Sequence, residues 1–271
     1  MSRPKFSVMM CVYGGDNPQH FRIALESVYN QTLSADEVVL VVDGPVPEET
    51  NKVISDFETE YSMKVFRLEK NMGHGIARRT GFDKCSHEYV AIADADDINA
   101  SNRFEKQLAL LEQDSDISAV SSNCIHFFDS PDNVLNEEVL PSDDKSIKEY
   151  LKRRCPICQP SVILSKKAVE NAGGYQDWYH AEDYYLWIRM FLNGCKFANI
   201  PESLVYMRTT ESQMNRRGGF KYFKSMAKLY HYMYKNNIIG IFDFLFNVSS
   251  RFILQVLMPG KLRGFIRKKF L

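Results

Sequence analysis

The hydrophobic pattern of the first hundred residues alternates between continuous apolar runs and stretches in which apolar residues recur every three or four positions. Continuous runs are typical of strands buried on both faces of a parallel sheet, and the second pattern is typical of helices. The sequence therefore predicts a βαβαβαβ series, which favours an α/β fold with helices on the faces of a parallel sheet. We expect strands at residues 6–13, 37–42, 63–68 and 89–93, and helices at 21–29, 48–61 and 75–85.

The pattern between residues 102 and 206 mixes helices with strands. A helix is expected to end near Leu111, and strands are expected at 119–120 and 124–128. The polar stretch 129–144 predicts a loop. Apolar residues at helical spacing predict a further helix at 182–192.

Charge is divided unevenly along the chain. The 271 residues hold 34 Lys and Arg and 34 Asp and Glu, so the formal net charge is zero. Residues 216–271 hold 12 of the bases and one acid, Asp243, whereas residues 1–215 carry a net charge of −11. A basic and apolar C-terminal segment indicates contact with an anionic surface.

The pattern of this segment favours a membrane interface. The apolar stretch 238–258 is interrupted by Asp243, Asn247 and Arg251, which makes a membrane-spanning helix costly. Residues 261–271 place apolar side chains on one helical face among five bases, as in helices that lie in the membrane surface. The alternative is a helix that docks on the acidic body of the same chain. The apolar face argues against nucleic acid as a partner.

The first residues and the cysteines bear on the compartment. The chain begins with a charged segment followed at once by a strand pattern, without a long apolar stretch, so we expect the catalytic part on the cytoplasmic side of the membrane. In that compartment the six cysteines are expected to be free thiols. A zinc site at Cys155 and Cys158 is the alternative, although the sequence offers no second close pair.

Clustered carboxylates follow the fourth predicted strand, at Asp94, Asp96 and Asp97. Carboxylates this close repel one another unless they are solvated or hold a cation. An all-oxygen ligand set favours Mg²⁺ or Mn²⁺ together with substrate phosphates. The alternative is a solvated acidic turn that caps a following helix.

Two further positions have both a functional and a structural interpretation. Glu182 and Asp183 open a helix, where one of them can act as a general base or simply stabilise the helix dipole. Arg78 follows a glycine turn at a helix start, an arrangement that suits phosphate binding, although a solvated helix face gives the same pattern.

Taken together, these blocks resemble glycosyltransferase family 2, bacterial enzymes that build surface polysaccharides such as O-antigen and exopolysaccharide. The resemblance runs from Phe6 to about Ser212. It is carried by residues 7–13, 24–32, 37–44, 71–73, 77–81, 94–97, 159–161, 173–175 and 181–187. It implies a GT-A fold, which is Rossmann-like with a mixed, mainly parallel sheet. The implied division is a donor half at 1–100, an acceptor half at 101–215 and a membrane-associating tail at 216–271.

The resemblance also implies roles for individual residues. Asp183 is the implied base, with Glu182 orienting the base or the acceptor. The implied donor-nucleotide contacts are Val12, Tyr13, Asp43, Arg78 and Asp94; the implied ligands of Mn²⁺ or Mg²⁺ are Asp94, Asp96 and Asp97; and the implied segment that closes over the donor contains Arg208 and Ser212.

The implied reaction is inverting transfer of a hexose from a UDP-sugar, with glucose or galactose favoured. The implied acceptor is a sugar linked to undecaprenyl diphosphate at the cytoplasmic face of the inner membrane, where the protein is expected to be peripheral. A dTDP-rhamnose transferase of the same family is the alternative within the class. A nucleotidyltransferase and a catalytically silent membrane scaffold are the alternatives outside it.

Overall fold

The computed structural model describes residues 3–210 and 218–258. The strands are β1 Phe6–Tyr13, β2 Glu37–Asp43, β3 Lys64–Arg67, β4 Tyr89–Asp94, β5 Ile98–Asn99, β6 Ile117–Phe128, β7 Ser130–Glu138, β8 Ile163–Ser165 and β9 Lys196–Arg208. The α-helices are α1 Pro18–Tyr29, α2 Glu48–Glu60, α3 His74–Lys84, α4 Arg103–Gln113, α5 Asp144–Leu151, α6 Lys166–Asn171, α7 Glu182–Leu192, α8 Phe220–Lys235 and α9 Ile241–Phe252. A 3₁₀ turn at Gln159–Ser161 and a π turn at Ile253–Leu257 complete the described elements.

The first four strands form the parallel half of one sheet, in the order β3-β2-β1-β4. This confirms the predicted βαβαβαβ series, with boundaries within one or two residues for the strands. The register sets Tyr13 opposite Asp43 and Cys11 opposite Asp94. Three polar strand ends therefore meet at one edge of the sheet, where ligands collect in open α/β folds.

The sheet continues as β8-β6-β9-β5 beyond β4, with β7 paired to β6. Strand β8 is antiparallel to both β4 and β6, whereas β6 and β9 are parallel. The result is the mixed, mainly parallel sheet that was expected. Strand β9 also pairs with β5, which follows the acidic turn after β4, so the β6–β9 pair lies beside that turn.

The elements form where the sequence supplies both a cap and an apolar face. Helix α1, for example, begins after Asn17, whose side chain accepts the backbone N–H groups of Gln19 and His20, and Pro18 occupies the first helical position. Alternate residues of β1 then pack on opposite faces of the sheet: Val8 and Met10 contact the α1, α2 and α4 side, and Met9 contacts the α3 and α7 side.

Two sequence expectations are wrong. The stretch predicted as a loop contains strand β7, an exposed partner of β6 in a hairpin with two register shifts. Both of its faces meet solvent, so its sequence carries no alternation of apolar and polar residues. The cysteines are not all free thiols: Cys124 and Cys158 form a disulfide, which also removes Cys158 from the zinc alternative.

The two described helices of the C-terminal segment differ in which side chains they bury. Helix α8 docks on the body of the protein and buries Met226, Leu229, Tyr230 and Met233 in the same core as Trp187. Helix α9 instead buries Asn247 and exposes an apolar face. None of the helices in the described ranges is long and apolar enough to span a membrane. The amphipathic stretch 261–271 lies outside the described residues.

Candidate functional site

The residues predicted to contact the donor, Tyr13 and Asp43, lie at the ends of β1 and β2. Both carboxylate oxygens of Asp43 accept backbone N–H groups, from Met72 at 2.7 Å and from Gly73 at 3.0 Å. Asp43 thus fixes the loop that leads into α3. The ring of Tyr13 stands edge-on to His74 with a centroid separation of 6.4 Å.

Val12 and Gly15 lie beside Tyr13 at the end of β1. The Val12 side chain is buried in the core, with 1% exposed, so only its backbone is available to a ligand. A Cβ at Gly15 would lie 2.6 Å from the ring of Tyr13, so a larger residue there would displace that ring. The predicted donor residues Tyr13 and Asp43 are therefore brought together at one edge.

Arg78 joins the donor side to the predicted catalytic pair. Its guanidinium donates to Glu182 Oε1 at 2.6 Å and to Asp94 Oδ1 at 3.1 Å. Burial alone lowers the pKa of Arg78, but the charges of Asp94 and Glu182 more than offset this and raise it above its ordinary value. Arg78 is thus a permanent cation between two carboxylates, rather than a residue of a solvated helix face.

The two acids at the start of α7 differ in environment. Glu182 is buried against Arg78, whereas Asp183 is half-exposed and accepts the N–H of Tyr184 at 2.7 Å. His180, in a left-handed conformation with φ of 51°, turns the chain immediately before them. Of the two, Asp183 is the carboxylate that an acceptor from solvent can reach.

The three carboxylates of the acidic turn after β4 differ in their exposure to solvent. Asp94 and Asp96 are half-exposed, whereas Asp97 is 4% exposed and its Oδ1 accepts the backbone N–H of Arg208 at 2.8 Å. Burial, together with the charges of Asp96 and Asp94, raises the pKa of Asp97 well above its usual range. Asp97 therefore braces the turn from inside.

Arg208 holds the same turn from the other side. Its Nε donates to the carbonyl of Asp96 at 3.2 Å, its Nη1 donates to the carbonyl of Asp129 at 2.6 Å, and its guanidinium lies over the ring of Phe127. Arg208 was expected in a flexible segment that closes over the donor. It is instead a buried residue at the end of β9, and the expected partner Ser212 lies outside the described residues.

The residues present fit a divalent cation only in part. Within residues 3–210 and 218–258, no group of three or more His, Cys, Asp or Glu side chains is placed to hold a metal ion. Asp94 and Asp96 nevertheless offer two half-exposed carboxylates on one turn. Mg²⁺ and Mn²⁺ sites of this kind are completed by water and by substrate phosphates. These two carboxylates therefore suit a cation whose remaining ligands come from water and from a bound diphosphate.

Sequence reasoning missed a buried arginine next to this site, Arg103. Arg103 is fully buried and donates to Gln107 Oε1 at 3.0 Å, to the carbonyl of Ile92 at 2.9 Å, and to Asn99. Burial lowers its pKa to about 9. The detectable signal was its spacing, because Arg103 and Gln107 lie four residues apart on the same helical face as Leu111.

Tyr175 and Gln159 are the other buried residues that sequence reasoning did not assign. Gln159 Nε2 donates to Tyr175 Oη at 2.9 Å, and both side chains are buried. Burial raises the pKa of Tyr175, so its hydroxyl is protonated at every physiological pH. The pair is a neutral polar contact close to the charges of Arg78 and Asp183.

Comparison with protein families gives one match that spans most of the described chain. The model for glycosyl transferase family 2 matches residues 7–172. The chain belongs to glycosyltransferase family 2. The match includes Asp43, Arg78 and the acidic turn at 94–97, which the structure places at one sheet edge.

Curated relatives of this family 2 enzyme match over nearly its whole length. A UDP-Gal:alpha-D-GlcNAc-diphosphoundecaprenol beta-1,3-galactosyltransferase of Escherichia coli is 40% identical over 266 residues, which covers 98% of this chain and 96% of the relative. The amylovoran biosynthesis glycosyltransferase AmsE of Erwinia amylovora is 34% identical and covers 97% of this chain and 98% of the relative.

Solved structures share the GT-A fold of this family 2 enzyme. S. aureus TarS in complex with UDP-GlcNAc has a TM-score of 0.70 at 17% identity and covers 98% of this chain and 76% of that chain. A mannosyltransferase from Pyrobaculum calidifontis, in complex with GDP-Man and Mn²⁺, has a TM-score of 0.65 at 15% identity, with 97% and 72% covered. At such identities the likeness concerns the fold, and the expected GT-A architecture is confirmed.

Proposed function

We propose that this family 2 glycosyltransferase transfers galactose from UDP-galactose to a GlcNAc unit linked through a diphosphate to undecaprenol. The observation that carries this proposal is the Arg78 bridge, which joins the donor-side turn at Asp94 to the acid pair at 182–183 in one site. The choice of substrates rests on the E. coli galactosyltransferase, which is 40% identical along almost the entire chain.

The donor is expected to lie along the edge formed by Tyr13, Asp43 and Arg78. Asp94 and Asp96 would hold Mn²⁺ or Mg²⁺, which when bound offsets the negative charge of the departing diphosphate. Arg78 orients Asp94 and keeps a fixed positive charge at this edge. Asp97 and Arg208 keep the acidic turn in place from behind.

Asp183 is the proposed base. Its carboxylate takes the proton of an acceptor hydroxyl while that oxygen forms a bond to the anomeric carbon of the donor. The bond from that carbon to the UDP oxygen breaks on the opposite face, so an α-linked donor gives a β-linked product. Glu182, paired with Arg78, positions the start of α7 and with it the base.

The enzyme is proposed to work as a peripheral protein at the cytoplasmic face of the inner membrane. An acceptor with a polyprenyl chain confines the reaction to that surface. The apolar face of α9 supports this placement, because Phe242 is 85% exposed and Phe246 is 62% exposed. Exposed aromatic side chains in a row along one helix are typical of interfacial binding.

The test is a donor survey on one acceptor. A synthetic GlcNAc-α-diphosphate-lipid is incubated with UDP-galactose, UDP-glucose, UDP-GlcNAc or dTDP-rhamnose, with Mn²⁺ or with EDTA. The proposal expects transfer from UDP-galactose that EDTA abolishes. Transfer from dTDP-rhamnose instead would correct the donor. Metal-dependent UDP binding without transfer from any donor would show that the acceptor is wrong.

A further inference from the structure

Helix α8 is attached to the segment that leads into the proposed base. The indole N–H of Trp178 donates to the carbonyl of Ser225 at 3.3 Å, and the hydroxyl of Ser225 donates to the carbonyl of Tyr179 at 2.7 Å. Trp178 and Tyr179 lie only a few residues before Asp183. The first half of α8 is therefore held beside the residues that lead into α7.

Three lysines line one face of this half of α8. Lys221, Lys224 and Lys228 follow a spacing of three and four residues, which places them side by side, and all three are exposed. Their ammonium groups lie 4.1 Å from the ring centroid of Tyr179, 4.9 Å from that of Phe220 and 4.6 Å from that of Trp178, respectively. We call these three residues the lysine row.

The described residues give the lysine row no counter-charge. No carboxylate in the described part of the chain forms an ion pair with any of its three members. Like charges three and four residues apart destabilise a helix, so the row carries a cost that a bound anion would remove. Lysine ammonium groups bind phosphate as point charges.

An exposed apolar patch borders the beginning of the row. The N–H of Gly219 donates to the carbonyl of Gln255 at 2.9 Å, which brings the π turn after α9 beside the start of α8. Phe223 also packs edge-on against Phe252, with centroids 5.2 Å apart. The patch is formed by the exposed side chains of Phe220, Phe252, Ile253, Leu254 and Leu257.

We propose that the lysine row binds the diphosphate of the lipid-linked acceptor. The order in the structure is an apolar patch, then three cations, then the segment that carries the proposed base. That order corresponds to a molecule with a lipid chain, a diphosphate and a sugar. The inference rests on the proposed function, because it assumes that the acceptor is a diphosphate-linked lipid. The donor diphosphate is assigned to the other side of the site, beside Arg78 and Asp94.

The test combines a binding measurement with kinetics on the full chain in neutral detergent micelles that contain no anionic lipid. The binding probe is dodecyl diphosphate, which needs no turnover. The variants are Lys221→Gln, Lys224→Gln, Lys228→Gln and the triple variant. The matched control is Lys235→Gln, an exposed lysine about 10 Å further along the same helix.

The proposal expects each single variant to weaken dodecyl diphosphate binding about fivefold, and the triple variant about a hundredfold. The KM for a GlcNAc-diphosphate-lipid should rise in parallel, while the KM for UDP-galactose and the kcat stay within about twofold. The KM for an alkyl GlcNAc without phosphate should not change. Lys235→Gln should behave as the wild type, and circular dichroism should confirm that the triple variant is folded.

Three outcomes would overturn the proposal. The first is unchanged dodecyl diphosphate binding in the triple variant. The second is an equal rise of KM for acceptors with and without diphosphate. The third is loss of binding to anionic vesicles with an unchanged KM in micelles, which would make the row a contact for lipid headgroups. If the wild type transfers no sugar, the proposed function fails, but the binding result still decides the lysine row.

Discussion

Arg78 and Glu182, which lie 104 positions apart in sequence, form a buried ion pair with a separation of 2.6 Å. The same guanidinium reaches Asp94, so one side chain links the end of β4 to the start of α7. Residues 1–100 and residues 101–215 thus share an electrostatic centre at Arg78. Several consequences of this arrangement can be measured.

Replacement of Arg78 should disable the enzyme. Arg78→Met leaves Glu182 buried without its counter-charge, and breaking a buried pair in this way costs roughly 3–5 kcal/mol. We expect loss of measurable transfer and a lower melting temperature. Arg79→Met is the matched control, because that neighbouring side chain is exposed and should change stability by less than about 0.5 kcal/mol. Equal activity of the two variants would contradict a central role for Arg78.

Substitutions of the two acids of α7 should have different effects on the kinetics. Asp183→Asn removes the proposed base and should lower kcat by about 10²–10⁴, with the affinity for UDP unchanged. Glu182→Gln keeps a hydrogen-bond acceptor for Arg78 but removes the charge, so its main effect should be on stability. Single-turnover rates and UDP titrations on both variants would check this. A larger loss of kcat in Glu182→Gln would make Glu182 the base and Asp183 the positioning residue.

Asp96 and Asp97 should differ in metal dependence. Asp96→Asn should raise the Mn²⁺ concentration for half-maximal activity by about tenfold or more. Asp97→Asn retains an oxygen that accepts the N–H of Arg208, and burial beside Asp96 and Asp94 already raises the pKa of Asp97. We expect nearly unchanged stability and metal dependence for that variant.

Asp97→Ala is the informative companion. It leaves the Arg208 N–H buried without an acceptor and should cost about 1–3 kcal/mol. Thermal unfolding and Mn²⁺ titration of the three variants would show whether Asp97 stabilises the turn or binds the metal. If Asp97→Asn shifted the Mn²⁺ requirement as much as Asp96→Asn, then Asp97 would be a ligand.

Glu37 should make folding sensitive to acid. Burial would raise its pKa, but hydrogen bonds from Lys64, Ser7 and Ser86 lower it to about 2. A folded-state pKa below the ordinary value of 4.5 stabilises the fold fully above pH 4.5, and this stabilisation is lost as the pH falls towards 2.

Glu37→Gln should therefore destabilise the protein by roughly 3 kcal/mol at pH 7, and by roughly 1.4 kcal/mol at pH 3. Urea unfolding at the two pH values would measure the difference. Glu88→Gln, an exposed acid next to β4, is the control and should change stability little at either pH. A constant difference between wild type and Glu37→Gln across this range would contradict the charge-based explanation.

The apolar face of α9 should bind membranes. Phe242→Asp with Phe246→Asp should weaken binding to anionic vesicles by about a hundredfold, because each phenyl ring contributes roughly 1.5–3 kcal/mol when buried. Transfer to a short-chain soluble acceptor should be unchanged. Ile23→Asp replaces an exposed apolar residue of α1, on the opposite face of the sheet from α9, and serves as the control. Unchanged vesicle binding in the double variant would remove α9 from the interface.

The parallel half of the fold could be predicted from sequence because its strands are buried on both faces. Glu37–Asp43, for instance, is buried at every position, and a continuous apolar run records this directly. Strand β7 could not be predicted, because an exposed partner strand needs neither an apolar run nor an alternation. The disulfide between Cys124 and Cys158 depends on the pairing of distant segments, which spacing does not reveal.

In the candidate site, too, the sequence predicted some features and not others. The family resemblance identified Asp94, Arg78 and Asp183 as candidates, but not that Arg78 would be paired with Glu182. Arg103 was overlooked because a charged residue in an amphipathic helix is normally exposed. For the C-terminal segment the sequence predicted helical character without bounds for α8 or α9, and the periodic stretch 261–271 lies outside the described residues. Which of the two helices docks and which exposes its apolar face depends on complementary surfaces elsewhere in the fold.

The most direct measurement is the structure of the product. UDP-galactose and a GlcNAc-α-diphosphate-lipid are incubated with the enzyme and Mn²⁺, and the new linkage is assigned by proton NMR. Direct displacement with Asp183 as base predicts a β-linked galactose, and a rate of product formation about 10²–10⁴ lower with Asp183→Asn. An α-linked galactose, or transfer that persists undiminished in Asp183→Asn, would contradict the proposed mechanism.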